Sequence, residues 1–189
     1  NSFAALQDTD AADEAIRDAS EGFDWQRAAV CTQHSILVLD ASGSMREADC
    51  HSHGRNIPRI EALYDALRCG FVQPQLDAGI PPSELVSVVR MQDSADILLQ
   101  CAPFADVADL PHLQPASHGN YLPALAKLHS LIQTVEAARA QGSEAGLPVP
   151  PTMSTCVLFL SDGRPSDVVL ARDRKSETRD PRLVSTAVC

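Results

Sequence analysis

The stretch ILVLDASGSM, residues 36–45, joins four apolar residues directly to an aspartate and then places serines at alternate positions behind it. A short and nearly continuous apolar run is typical of a strand covered on both faces, as in a parallel sheet. Asp40 therefore stands at the predicted carboxyl end of a buried strand, and Ser42 and Ser44 follow in the next loop. The pattern predicts that this strand brings oxygen-bearing side chains to one edge of a sheet.

Strands and helices alternate along the rest of the chain. Apolar residues at three- and four-residue spacing predict helices at 58–71 and 122–135, the first of them opening at a proline. The predicted strands lie at 35–39, 85–89, 97–100 and 157–160. The second and third strands are close enough in sequence to form an antiparallel hairpin. This order predicts an α/β fold, Rossmann-like and doubly wound, with a mainly parallel sheet, one antiparallel edge strand and helices on both faces.

Burial and loops can be predicted from the same patterns. Residues 46–56 are polar and residues 141–155 are rich in glycine and proline, so both segments are expected to be loops. The run at 157–160 is expected to be buried, and Cys156 at its start to be a buried free thiol. The second helix should place one apolar stripe in the core, formed by Leu122, Leu125, Leu128, Ile132 and Val135.

Composition excludes several classes of protein. The chain has 189 residues, 44% of them hydrophobic, which suits one globular domain. Seven acids against one arginine give residues 1–24 a formal charge of −6, which leaves −4 of the total −10 for residues 25–189. The acidity is therefore local, and nucleic acid is disfavoured as a partner because no basic stripe is available to neutralise phosphates. No apolar run is long enough for a membrane span.

The six cysteines bear on the compartment. No Cys-x-x-Cys pair occurs, and a domain of this size does not need disulfides, so a reducing, cytoplasmic compartment is favoured over secretion. The alternative is a disulfide between Cys31 and Cys189 that closes the two ends of the domain and implies an extracellular location. The chain begins at Asn1 rather than at methionine, which predicts a processed or excised piece of a longer protein.

A second aspartate, Asp162, follows the last predicted strand just as Asp40 follows the first. In open α/β sheets, ligands bind beyond the carboxyl ends of strands where the strand order reverses. Two carboxylates and the hydroxyls of Ser42 and Ser44 form a hard oxygen set, which suits Mg²⁺, Mn²⁺ or Ca²⁺ and is poor for zinc. We therefore predict a divalent-cation site at this edge, with Gly43 and Gly163 allowing sharp turns.

These residues also carry a family resemblance. VLDASGSM, followed 120 residues later by LFLSDGRPSD, resembles the metal-ion-dependent adhesion site of the von Willebrand factor A domain family, which is also called the integrin I-like family. VSVVRMQDSADILL resembles the family's second and third strands, and GNYLPALAKLHSLI resembles the helix after its second metal loop. The resemblance covers about residues 34–168. It divides the chain into an acidic amino-terminal helix or linker at 1–33 and a domain at 34–189.

The resemblance implies a function as well as a fold. It places Asp40 beside Asp162 on neighbouring strands, and it implies a bound cation that accepts an Asp or Glu carboxylate from a protein partner. Because the serines are neutral, the ion would keep net positive charge for that carboxylate. It implies an interaction module rather than an enzyme, of the kind found both in extracellular adhesion and in intracellular assemblies.

The chain departs from the family pattern at two places. The family usually supplies a threonine ligand before the helix, whereas this chain reads SHGNYLPAL, which puts Gly119 or Asn120 at that position. The hydroxyl is lost, and the Asn120 amide oxygen is the remaining candidate ligand, with a helix N-cap as its alternative role. Residues 169–189 show no pattern that matches the family's last two strands and final helix, which predicts a truncated carboxyl end.

Other interpretations of the same residues stay open. Asp-x-Ser-x-Ser also occurs in turns and helix caps, and the metal site could be degenerate on a scaffold that still binds a partner. Asp40 could instead be a phosphoryl-accepting nucleophile of a Mg²⁺-dependent phosphohydrolase, although Ser42 stands where such a site needs an acid or base. Cys50, His51 and His53 share one loop and could bind a soft metal, although a polar loop is the simpler interpretation.

Overall fold

The computed structural model describes residues 23–52, 54–81 and 83–163. The strands are β1 (Gln33–Asp40), β2 (Cys50–Ser52), β3 (Arg55–Ile57), β4 (Glu84–Met91), β5 (Ala95–Pro103) and β6 (Ser154–Leu160). The α-helices are α1 (Trp25–Ala29), α2 (Arg59–Asp65), α3 (Gln73–Ala78) and α4 (Tyr121–Glu144). Short 3-10 helices lie at Gly43–Arg46 and Phe104–Asp109, and a π-helical segment, Ala66–Val72, joins α2 to α3.

Four strands form one mixed sheet in the order β5-β4-β1-β6. The central strand β1 is parallel to β4 and to β6, so that Leu39 lies between Arg90 and Leu160. The pair β4–β5 is antiparallel, which confirms the predicted hairpin. Because parallel neighbours carry their carboxyl ends to the same edge, the ends of β1 and β6 meet there.

Helices cover both faces of this sheet, and they explain why the four residues 36–39 in the middle of β1 are all apolar. Leu37 and Leu39 pack with α2 and the π-helical segment on one face. Ile36 and Val38 point the other way and pack against α4. Since alternate side chains of a strand face opposite sides, a strand between two helix layers must be apolar at every position. The predicted α/β class with helices on both faces is confirmed.

The helix α1 lies within the segment 1–33 and packs against the end of α4. Ala28 and Cys31 are buried beside Val135 and Ala138 of α4. A Cβ built on Gly142 would lie 2.6 Å from the Cβ of Ala29, so the two helices approach too closely for any side chain there. This contact also shows why the predicted loop at 141–155 begins too early, since α4 continues to Glu144.

Two other predicted segments contain more regular structure than expected. The helix after Pro58 runs on through the π-helical segment and ends only at Gly79, whose φ of 77° is the left-handed conformation that glycine favours. The polar segment 46–56, predicted as a loop, holds the antiparallel ribbon β2–β3. Short ribbons of polar residues lack the apolar alternation from which strands are predicted.

The burial predicted for two apolar stretches was wrong. Cys156 is exposed, and Val157 and Phe159 are 41% and 37% exposed, because β6 is an edge strand of the described sheet. On α4 the expected stripe is only partly in the core, with Leu122 67% and Leu125 45% exposed. The fully covered positions of this helix instead follow a line through Ala124, Leu131, Val135 and Ala138, which turns the first two leucines away from the sheet.

Some predictions lie outside the described residues. These are the acidic segment before residue 23, His53, and residues 164–189, which include Cys189. Cys31 is a free thiol whose Sγ lies 3.3 Å from the Sδ of Met153. No helix among the described residues is long and apolar enough to cross a membrane.

Candidate metal centre

Asp40 ends β1 with its side chain almost fully buried and both carboxylate oxygens occupied by neutral donors. The backbone N–H of Ser42 donates to Oδ1 at 2.8 Å, and the Ser161 hydroxyl donates to Oδ2 at 2.7 Å. Hydrogen bonds of this kind orient a carboxylate without cancelling its charge. No ion pair involves Asp40 among the salt bridges of the described residues.

The two serines of the motif contact each other in the loop that follows Asp40. The hydroxyl oxygens of Ser42 and Ser44 are 3.1 Å apart, and Ser42 is buried. The backbone of Gly43 starts a 3-10 helix at this point, and its N–H donates to the carbonyl of Ser117 at 2.9 Å. The loop after β1 is therefore fixed to the loop before α4.

Gly119 shows how close the loop before α4 comes to these oxygens. A Cβ built on Gly119 would lie 3.4 Å from the Ser42 Oγ and 3.6 Å from the Asp40 Oδ1. A side chain at this position would therefore project into the candidate centre, whereas glycine leaves that space open. The family's threonine would align with residue 119 or residue 120. Residue 119 is the one that lies beside the oxygens of Ser42 and Asp40.

Asn120 is oriented toward the β4–β5 turn. Its backbone N–H donates to the Gln92 carbonyl at 3.0 Å, and its side-chain Nδ2 donates to the Asp93 carbonyl at 3.2 Å. It occupies the N-cap position of α4, but its side chain makes no capping hydrogen bond. The side-chain nitrogen of Asn120 therefore binds the β4–β5 turn. Together with the backbone hydrogen bond, this contact connects the start of α4 to the end of β4.

Asp162 has a different environment from Asp40, because a guanidinium contacts it. Arg59 at the start of α2 places Nη1 2.9 Å from the Asp162 Oδ2. The same side chain donates through Nε to Asp49 at 2.8 Å and lies 2.9 Å from a carboxylate oxygen of Glu47. Its hydrogen bond and charge hold the pKa of the Asp49 carboxyl below its usual range. Asp162 is thus in an ion pair with a guanidinium that it shares with two other carboxylates.

Sequence patterns missed two residues of this centre. Ser161 connects the two strand ends: it donates to Asp40, lies 2.9 Å from the Tyr121 hydroxyl, and accepts from the Gly163 N–H at 3.1 Å. Its position was predictable in part, since a parallel register that pairs Leu39 with Leu160 puts it beside Asp40. Arg59 offered no signal beyond its place after Pro58, because its partners are up to 103 residues away.

The donors present suit a hard cation better than a soft one. The side chains gathered at the end of β1 offer oxygen, as Mg²⁺ and Ca²⁺ prefer, and Asp40 supplies a charge that no basic side chain of the described residues pairs with. Within residues 23–52, 54–81 and 83–163, no three His, Cys, Asp or Glu side chains form a group that could hold a metal. Cys50 and His51 instead belong to the β2–β3 ribbon, where the His51 Nδ1 lies 3.3 Å from the Asn56 Oδ1.

Comparisons with known proteins give only distant likenesses. No family model and no curated protein matches the chain significantly. A crystal structure of an uncharacterized membrane spanning protein from Vibrio fischeri is similar at 17% identity and a TM-score of 0.39, and the match covers 61% of this chain and 52% of that one. The crystal structure of the SpRpn10 VWA domain is similar at 16% identity and a TM-score of 0.37, over 74% of this chain and 94% of that one. The chain thus spans about half the length of the first structure, and neither likeness assigns a family.

Proposed function

We propose that this chain is a von Willebrand factor A-type interaction module that binds a divalent cation, Mg²⁺ before Mn²⁺ or Ca²⁺, and uses it to dock an Asp or Glu of a protein partner. The sequence motifs supply the resemblance, and the parallel pairing of β1 with β6 agrees with the strand order that it implies. The function itself is inferred from the residues at the carboxyl edge of the sheet.

The observation that supports this proposal most strongly is the state of Asp40. It is a buried carboxylate held by neutral donors, with two serine hydroxyls gathered behind it. Burying a charge is costly unless something compensates it, and two hydrogen bonds compensate only in part. A divalent cation would complete the compensation and would bring the positive charge that attracts a partner's carboxylate.

Each residue of the centre has a distinct role in this proposal. Asp40 would hold the ion with its charge, and the hydroxyls of Ser42 and Ser44 would contribute neutral oxygens. Asp162 and Asn120 are the remaining candidate ligands. Ser161 is a positioning residue, because it fixes the orientation of the Asp40 carboxylate through Oδ2. Gly119 keeps the space beside Asp40 open.

Thermal stability in Mg²⁺ tests the proposal. A ligand that binds only the folded state raises Tm, so millimolar Mg²⁺ should stabilise the wild-type chain. Asp40→Ala should remove this response, whereas the matched control Asp106→Ala, at an exposed acid on a 3-10 helix, should retain it. Since Asp40→Ala also leaves two donors without their acceptor, Ser44→Ala provides a milder variant. An unchanged Mg²⁺ response in Asp40→Ala contradicts the site.

A scaffold without cation dependence is the second candidate, and one observation favours it. Arg59 already supplies a positive charge to Asp162, so the centre is partly neutralised without any ion. On this alternative, Mg²⁺ would leave the Tm of the wild-type chain unchanged while partner binding persists. The phosphohydrolase alternative is separated by a phosphatase assay on generic substrates, where it alone expects turnover.

A further inference from the structure

Arg59 gathers three carboxylates that come from separate parts of the chain. Glu47 and Asp49 lie in the segment after β1, and Asp162 follows β6. The backbone N–H of Arg59 also donates to the Glu47 carbonyl at 3.0 Å. Arg59 therefore fastens the start of α2 to the loop that follows the motif and to the end of β6.

The contact with Asp162 is the shielded part of this cluster. The side chain of Asp162 is 9% exposed and that of Arg59 is 24% exposed, whereas Glu47 and Asp49 are more than half exposed. Charges removed from bulk water interact more strongly and are screened less by salt. Asp49 makes a two-point contact with the guanidinium at the rim, through Nε and Nη2, whereas the contact with Asp162 is the one most shielded from water and salt.

We propose that Arg59 is the internal counter-ion of Asp162 and competes with the divalent cation for that carboxylate, so that it sets how tightly the centre binds Mg²⁺. The inference rests on the proposed function, since it assigns the regulation of the same site. It makes Arg59 a specificity-determining residue, because a monovalent ion offers Asp162 no more charge than the guanidinium already does.

The exchange of partners at Asp162 leaves Arg59 paired. A buried charge that loses its only partner is strongly destabilising, but Asp49 and Glu47 still contact the guanidinium when Asp162 turns to a cation. The four carboxylates of Asp40, Asp162, Asp49 and Glu47 also exceed the one guanidinium in charge. These five side chains together therefore stay negative and still attract a dication, even with Arg59 in place.

Replacing the guanidinium tests this competition. In Arg59→Gln, calorimetric titration should show a Mg²⁺ dissociation constant about tenfold lower than in the wild type, because a positive charge beside the centre is gone. In EDTA, the same variant should melt at a lower temperature than the wild type, because Asp162, Asp49 and Glu47 then repel one another. The matched control is Arg55→Gln, at an exposed arginine of β3 without an ion pair among the described residues, and it should change neither value.

The possible outcomes separate this inference from the proposed function. If wild type and Arg59→Gln bind Mg²⁺ equally, the competition is refuted and the cation site stands. Binding in Arg59→Gln alone supports the competition and refutes cation dependence of the wild-type chain. Absence of binding in both refutes both. If Arg59→Gln does not fold, the same measurements are made on Arg59→Met, which keeps the aliphatic part of the side chain, and the same outcomes decide.

Discussion

The strands β1 and β6 lie side by side with similar sequences and very different surroundings. ILVL in β1 is fully buried between two helix layers, whereas the corresponding VLFL in β6 is half exposed. Each is followed by an aspartate close to the same edge of the sheet. The difference arises from neighbours, because β1 has a strand on either side, and β6 pairs only with β1 in the described part of the sheet.

The same contrast extends to the two aspartates. Asp40, at the end of the central strand, is held by a backbone amide and a hydroxyl, while Asp162, at the end of the outer strand, is held by a guanidinium. The two carboxylates would therefore not be equivalent in the proposed cation site: Asp40 has no ion pair among the described residues, whereas Asp162 would first have to exchange the guanidinium.

The largest expected loss of unfolding free energy comes from one of two leucines that are neighbours in the register of β1 and β6. Leu37 on β1 is fully buried and Leu158 on β6 is partly buried against the same cluster. Leu37→Ala leaves a cavity in a closed core and should lower the free energy of unfolding by about 3 kcal/mol. Leu158→Ala should lower it by about 1 kcal/mol, because less apolar surface is buried there. Urea denaturation of both variants measures the difference, and equal losses would show that the two strands are equally covered.

The second effect concerns pH and the starts of the same strands. His34 on β1 is fully buried, whereas its register partner Thr155 on β6 is exposed. Burial lowers the pKa of His34 to about 4, and its Nε2 lies 2.8 Å from the Ser87 hydroxyl, while Nδ1 has no hydrogen-bond partner in the part of the chain that the structure describes. The unfolded chain therefore binds a proton at higher pH than the folded chain does. Stability is complete above about pH 6.5 and should fall by about 3 kcal/mol as the pH approaches 4.

Carboxylates titrate in the same acid range, so the contribution of His34 to the pH dependence must be measured by comparing variants. His34→Gln should reduce the loss of unfolding free energy between pH 7.5 and pH 4 by most of that amount. His129→Gln, at an exposed position of α4, serves as the control and should leave the pH dependence unchanged. A wild-type pH dependence in His34→Gln would mean that His34 is protonated in the folded chain.

Local sequence patterns predicted the order of elements and most of the sheet, since the apolar runs at β1 and β4 and the helical spacing after Pro58 are strong signals. They predicted the antiparallel edge strand β5 but not that β6 lies at the other edge of the described sheet, and so Cys156 and residues 157–160 were assigned to the core. Ser42 and Ser44 were predicted because they are close to Asp40 in sequence, whereas Ser161 was missed although the register of β1 and β6 puts it beside Asp40. Arg59 was not predictable, because a contact across 103 residues depends on the packing of α2 against the end of β6.

The smallest expected change in stability tests how far the side chains of β6 are exposed to solvent. Val38 on β1 and Val157 on β6 face the α4 side of the sheet, one fully buried and the other 41% exposed. Val→Thr replaces a methyl by a hydroxyl of similar size, which costs about 2 kcal/mol where the hydroxyl finds no partner and less than about 0.5 kcal/mol at a surface. Val38→Thr should therefore show the full cost in thermal unfolding, and Val157→Thr almost none. A cost at Val157 as large as at Val38 would mean that another part of the protein or a second molecule covers β6 in solution.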